Sequence, residues 1–259
     1  MKKSIAIGLI SAALGFAGLA ADNNQNSPST SAGKGLAAMQ QAAGANKYLF
    51  AFVYEKDDDA TRAVRKTFDE GLKKITPAPE SVAVDRTAAE ESDLVAKYGL
   101  ARAPMPLVLA IAPNGAVTGG FKAAEATEER LRDSVASPCM QQCLKALQDR
   151  RLVFVCLQNG NTKANDAAMK GVIEFKADPQ FAAATEIVKV DPTDTREAKL
   201  LAQLKADPKA KTANTAFLAP PGMVVTSVEG ATSKAGFDTA LKKAIASCAP
   251  SSGCCPAPK

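Results

Sequence analysis

Six cysteines are the residues of this 259-residue chain best suited to nucleophilic, redox or soft-metal chemistry, and no histidine accompanies them. The absence of histidine excludes Ser/His and Cys/His catalytic arrangements, His-containing zinc sites and His-assisted copper sites. Cys156 stands inside the apolar run Leu152–Leu157 and reads as a small buried hydrophobe. The other five gather in two places, Cys139 and Cys143 in mid-chain and Cys248, Cys254 and Cys255 close to the end. Ser137 as N-cap and Pro138 as first helical residue predict a helix here, with Cys139 and Cys143 one turn apart on a shared face.

Three chemistries suit this cluster. Structural disulfides are what paired cysteines form in an oxidising compartment, although their connectivity is not legible from a sequence. An i,i+4 bridge within one helix is geometrically awkward, which favours bonds between the two groups of cysteines. Thiolates alone can instead hold Cu(I) or Zn2+; apart from that alternative no cofactor is expected. A displaced redox pair is the third, because a helix start can lower the pKa of Cys139. The tail from Cys248 to Lys259 is therefore expected to be tied, by disulfide or shared ion, to the segment near Cys139 and Cys143.

The elements that position these residues come twice. Tyr48–Cys139 and Leu152–Cys248 show the same succession, each opening with an apolar strand, Tyr48–Val53 and Leu152–Leu157. Near-continuous apolar runs of this length suit strands buried on both faces. An amphipathic helix follows each, capped by Asp59 with the stripe Val64, Phe68 and Leu72, and by Asn165 or Asp166 with Met169, Val172 and Ile173. Short strands ending at Asp85 and Asp191 come next, then helices carrying Leu94, Val95 and Tyr98, and Leu200, Leu201 and Leu204. Each half closes with a hairpin turning at Pro113-Asn114-Gly115 or Pro220-Pro221-Gly222, then a helix with Leu131 and Val135, or Phe237, Leu241 and Ile245. The predicted order is βαβαββα, twice.

That order is the thioredoxin fold, and the first half also resembles thioredoxins in sequence. Leu94-Val95-Ala96-Lys97-Tyr98-Gly99-Leu100, a proline before an apolar strand, Pro113-Asn114-Gly115 and Gly119-Gly120-Phe121 look like that family's third helix to closing hairpin. The resemblance places Pro104 or Pro106 at the family's cis-proline, Pro106 preferred, and implies that Pro104-Met105-Pro106 borders the groove where substrates lie. It also implies a Cys-x-x-Cys pair just after the first strand, and none is present. Those segments read Tyr54-Glu55-Lys56-Asp57-Asp58-Asp59-Ala60-Thr61 and Gln158-Asn159-Gly160-Asn161-Thr162-Lys163, and the second half has Asn214-Thr215 instead of the cis-proline.

The N-terminus has a basic start, a short apolar run from Ile5 to Leu19 and small residues at Gly18-Leu19-Ala20, the pattern of a secretory signal peptide over 1–20. Residues 21–46 are expected to be a flexible leader, followed by an α/β chain of two tandem thioredoxin-like domains, 47–137 and 138–247, and a Cys/Pro-rich tail, 248–259. Thirty-two basic against 27 acidic side chains give a net charge of +5, spread along the chain. No concentrated basic patch favours nucleic acid, or a membrane beyond the signal peptide. The expectation is a periplasmic or secreted, non-catalytic protein of the bacterial envelope that binds another envelope protein or a peptide. The alternative is an accessory thiol-redox or soft-metal-handling protein working through Cys139, Cys143, Cys248, Cys254 and Cys255.

Overall fold

The computed structural model describes residues 33–247, so the expected signal peptide, most of the expected leader's first half and the tail cysteines Cys248, Cys254 and Cys255 lie outside the described residues. Two four-stranded mixed sheets carry the chain. The first has β1 (Leu49–Tyr54) and β2 (Glu80–Asp85) parallel, with β3 (Leu107–Ile111) and β4 (Val117–Lys122) antiparallel, in the order β2-β1-β3-β4. The second repeats this as β6 (Thr185–Val190), β5 (Leu152–Leu157), β7 (Asn214–Ala219) and β8 (Met223–Glu229). Even the irregularity repeats, since each closing hairpin shifts register at one place, between Ala110 and Ile111 and between Phe217 and Leu218.

Alternation along the central strands divides each core into two. Phe50, Phe52, Val108 and Ala110 face α2 (Asp59–Leu72) and α4 (Glu128–Asp133), which contribute Phe68, Leu72 and Leu131. Leu49, Ala51, Val53, Leu107 and Leu109 face the other way, against Leu94 of α3 (Ser92–Lys97). In the second sheet Phe154, Cys156 and Phe217 meet α6 (Asn165–Ala177) and α8 (Lys234–Ser247). Val153, Val155 and Leu157 meet α5 (Pro138–Gln148) and α7 (Ala198–Leu204).

Part of the expected leader is not a leader. Lys34–Gly44 forms α1, an 11-residue helix whose Leu36, Ala38, Met39 and Ala42 pack on the first sheet. Alanine is the best helix former, and a helix of mostly small residues lies close against a sheet without large side chains. Gly35 shows how close: a Cβ there would stand 2.5 Å from Leu94 Cδ1 and 2.8 Å from Glu91 Oε2. Each repeat thus begins with a helix, α1 or α5, so the repeating unit is αβαβαββα.

Smaller expectations also shift. Asp58, not Asp59, caps α2, accepting from Thr61 N at 2.8 Å. Asn165 is the first residue of α6, and its side chain instead accepts from Thr162 Oγ1 at 2.7 Å and donates to Asn159 O at 2.8 Å. Ile173 and Ile245 are 56% and 63% exposed. α6 buries Met169, Val172 and Phe175, three residues apart, which turns Ile173 outward, and the stripe Phe237-Leu241-Ile245 of α8 runs past the end of the core. Among the described residues no helix is long and apolar enough to cross a membrane.

Candidate functional site

The junction of β1, the N-terminus of α2 and the loop before β3 forms a cleft of about 400 Å3, lined by Glu55, Lys56, Asp58, Ala60, Thr61, Val64, Met105 and Pro106. The Met105–Pro106 bond is cis, as the resemblance implied for Pro106. The free amides at the start of α2 are answered by a carboxylate, Asp58, which its bonds to Thr61 hold below the usual aspartate range. Arg62 donates to Asp57 O and pairs with Asp59 at 2.7 Å. Glu55 is held by Arg86, whose other nitrogen donates to Leu100 O at 3.0 Å and Ala103 O at 2.9 Å. The mouth is therefore ordered, mostly acidic, and without a thiol where a helix dipole would activate one. The backbone N–H and C=O of Met105 have no partner among the described residues, while the next carbonyl, Pro106 O, accepts from Ala123 N at 2.9 Å.

The same place in the second repeat is closed by its own chain. Lys163 N donates to Lys211 O at 2.8 Å and Ala213 N to Lys163 O at 2.9 Å, so the loop before α6 bridges to the segment leading into β7. Asn159 completes the closure, donating to Asp191 Oδ1 at 2.8 Å and accepting from Asn161 N at 2.9 Å. Thr212, which stands where Met105 does, likewise has no backbone partner among the described residues, but the chain at Lys163 lies along it, whereas the cleft beside Met105 is open.

Cys139 and Cys143 lie on α5 as expected, but not as a poised pair. Cys143 is buried among Met140, Leu147 and Val153, and burial pushes its thiol up to about 12. Cys139 is half-buried, and its thiol is also pushed up to about 12, first by burial and then by the Glu197 carboxylate beside it. The expected lowering by the helix start is overturned, because burial outweighs it and the Glu197 carboxylate already answers that end of the helix. Cys139 N donates to Glu197 Oε1 at 3.0 Å, and Ser137 Oγ donates to the other oxygen, so Ser137 is an N-cap residue whose side chain does not itself cap. Cys139, Cys143 and Cys156 are unbridged, and among the described residues no three His, Cys, Asp or Glu groups gather as for a metal.

Glu197 has a twin that the sequence reading missed. Glu91 Oε1 and Oε2 accept from Gly35 N at 3.1 and 3.2 Å, and these two glutamates are only 3% and 2% exposed. The signal was Asp-x-Thr-x-x-x-Glu, at Asp85-Thr87-Glu91 and Asp191-Thr193-Glu197. Each aspartate accepts from its threonine's N and Oγ1, turning the chain so that the glutamate reaches the preceding helix.

The burial has a measurable consequence for Cys143 and Cys156, whose thiol is pushed up to about 11 by burial. Both should resist iodoacetamide at pH 8 in the folded protein and react in denaturant, with Cys139 intermediate. Mass-resolved labelling checks this, and native labelling of Cys156 as fast as an unfolded control would contradict its place in the core.

Two tandem thioredoxin-like domains, the first with an open cis-proline cleft and neither with a thiol at its first helix start after the opening strand, define the class of this chain. No protein-family model and no curated protein matches it. Among solved structures it is similar to the disulphide isomerase from Xylella fastidiosa Temecula1, at 17% identity, covering 45% of this chain and 93% of that one, with a TM-score of 0.31. The first two thioredoxin domains of Saccharomyces cerevisiae Eps1p match at 12% identity, covering 78% and 94%, with a TM-score of 0.28. The zinc-bound form of human ERp44 matches at 10%, covering 82% and 58%, with a TM-score of 0.32.

Proposed function

We propose that this chain is an exported, non-catalytic binding protein of the bacterial cell envelope that holds an extended segment of another envelope protein or peptide along Pro104-Met105-Pro106. The unanswered N–H and C=O of Met105, set in a cleft, carry this reading, because an extended peptide satisfies such a pair as an added strand does. Four acids, Glu55, Asp57, Asp58 and Asp59, stand against three bases, Lys56, Arg62 and Arg86, and this slight acidic excess favours a segment bearing Lys or Arg. With aspartate at the helix start, the cleft has no group to attack or reduce a bound disulfide. The second repeat, its own groove filled by Lys163, serves as support. Export rests on the N-terminal pattern Met1-Lys2-Lys3 followed by an apolar run.

Fluorescence anisotropy with labelled extended peptides, lysine-bearing and glutamate-bearing, tests it. The lysine-bearing set should bind more tightly, and Ala60→Trp, which fills the cleft from an exposed helix position, should weaken binding by about tenfold or more. Thr212→Trp in the closed repeat should change little. Insulin reduction should stay at the uncatalysed rate. Binding indifferent to Ala60→Trp, or turnover like that of a thioredoxin, rejects the proposal.

A further inference from the structure

The two repeats are joined by a hairpin laid against a helix, and the chain holds a second copy of that hairpin with no helix hydrogen-bonded to its turn or outer edge among the described residues. In the first repeat, Gln148 of α5 satisfies both outward backbone groups of Val117 on the edge strand β4: Val117 N donates to Gln148 Oε1 at 2.9 Å, and Gln148 Nε2 donates to Val117 O at 2.7 Å. Asn114 at the turn donates to Gln141 O of the same helix at 2.9 Å, and Ala116 is fully buried. The register pairs Val117 with Ile111 and Val224 with Leu218, each beside the irregularity, so Met223 and Val224 stand where Ala116 and Val117 stand. There Met223 is 37% and Val224 50% exposed, and no side chain among the described residues meets the outward backbone of Val224.

We propose that the C-terminal segment Cys248–Lys259 seats on the β7–β8 hairpin and covers Met223 and Val224. It follows α8 as α5 follows α4, so it stands in the chain where the first hairpin's cover stands. Its last residues before Lys259 are Cys254-Cys255-Pro256-Ala257-Pro258, an uncharged run suited to an apolar surface. It leaves α8 at the turn bearing Ile245, and its length gives a reach of up to about 40 Å. A second copy stacked head to tail is the poorer occupant. The helix it would offer is α1, whose Ala37 and Gly44 stand where α5 has Gln141 and Gln148, counted from the paired contacts of Gly35 and Cys139 with their glutamates, so it has no side chain to answer the outward backbone of Val224.

Hydrogen exchange on the full chain and on a chain ending at Ser247 tests this, with size measured alongside. Truncation should speed exchange of the Val224–Val225 amides by about tenfold and hasten peroxide oxidation of Met223, with both chains monomeric. Val224→Asp in the full chain should reproduce the faster Met223 oxidation without truncation. Equal exchange and oxidation in the two chains overturns the proposal. Protection that rises with protein concentration, in step with a larger particle, also overturns it and assigns the surface to a second copy.

Discussion

Glu197→Ala is expected to destabilise the protein by about 3 kcal/mol, since a buried carboxylate holding two donors contributes about 1.5–3 kcal/mol per bond, less the carboxylate's own desolvation. The loss is asymmetric. Alanine removes the acceptor but leaves Cys139 N and Ser137 Oγ at a helix start already packed into the core. Glu197→Gln keeps one acceptor oxygen and should lose roughly half as much. Glu91→Ala should release α1 in the same way, because Gly35 N loses both of its acceptors. Urea unfolding of the four proteins checks this, and an alanine variant as stable as the parent would show that water replaces the carboxylate without cost.

Phe154→Ala is expected to cost about 3–5 kcal/mol, the range for truncating a fully buried aromatic side chain. Phe154 has no exposed surface and sits at the centre of a ring cluster. Phe217 stacks on it at 4.3 Å, while Phe237 and Phe175 meet it edge-on at 4.8 and 5.2 Å. The partners come from β7, α8 and α6, so the cavity would touch every element on that face of the second sheet. Phe154→Leu should lose less, because most of the volume stays filled. A loss below about 1 kcal/mol in Phe154→Ala would mean that the four rings repack, against the close packing they show.

Most of the fold was legible because it rests on apolar runs and their periods. β1, β5 and β3 are buried on both faces, and such strands announce themselves as unbroken hydrophobic stretches. The cis-proline was legible through its neighbours, Leu107 onward. Two things were hidden. α1 escaped because its buried positions are filled by Gly35, Ala38 and Ala42, residues with too little side chain to print a stripe. Glu91 and Glu197 escaped because a charged residue reads as surface until its donors are known, and those donors, two backbone amides and the Ser137 hydroxyl, belong to helix starts far away in the chain. The closed groove of the second repeat was illegible for the same reason, since Lys163 closes it with its main chain.

One helix belongs to both repeats. α5 buries Met140, Cys143, Ala146 and Leu147 in the second core while its Gln141 and Gln148 hold the turn and edge of the first sheet. Tyr48 adds a staple, its hydroxyl accepting from Ala136 N at 2.8 Å and donating to Ala136 O at 3.1 Å. Loosening the second core therefore strips the first sheet of its edge cover. The duplicated halves should therefore unfold together, since a cut before α5 leaves the first half with a bare hairpin and a cut after it takes Met140, Cys143, Ala146 and Leu147 out of the second core.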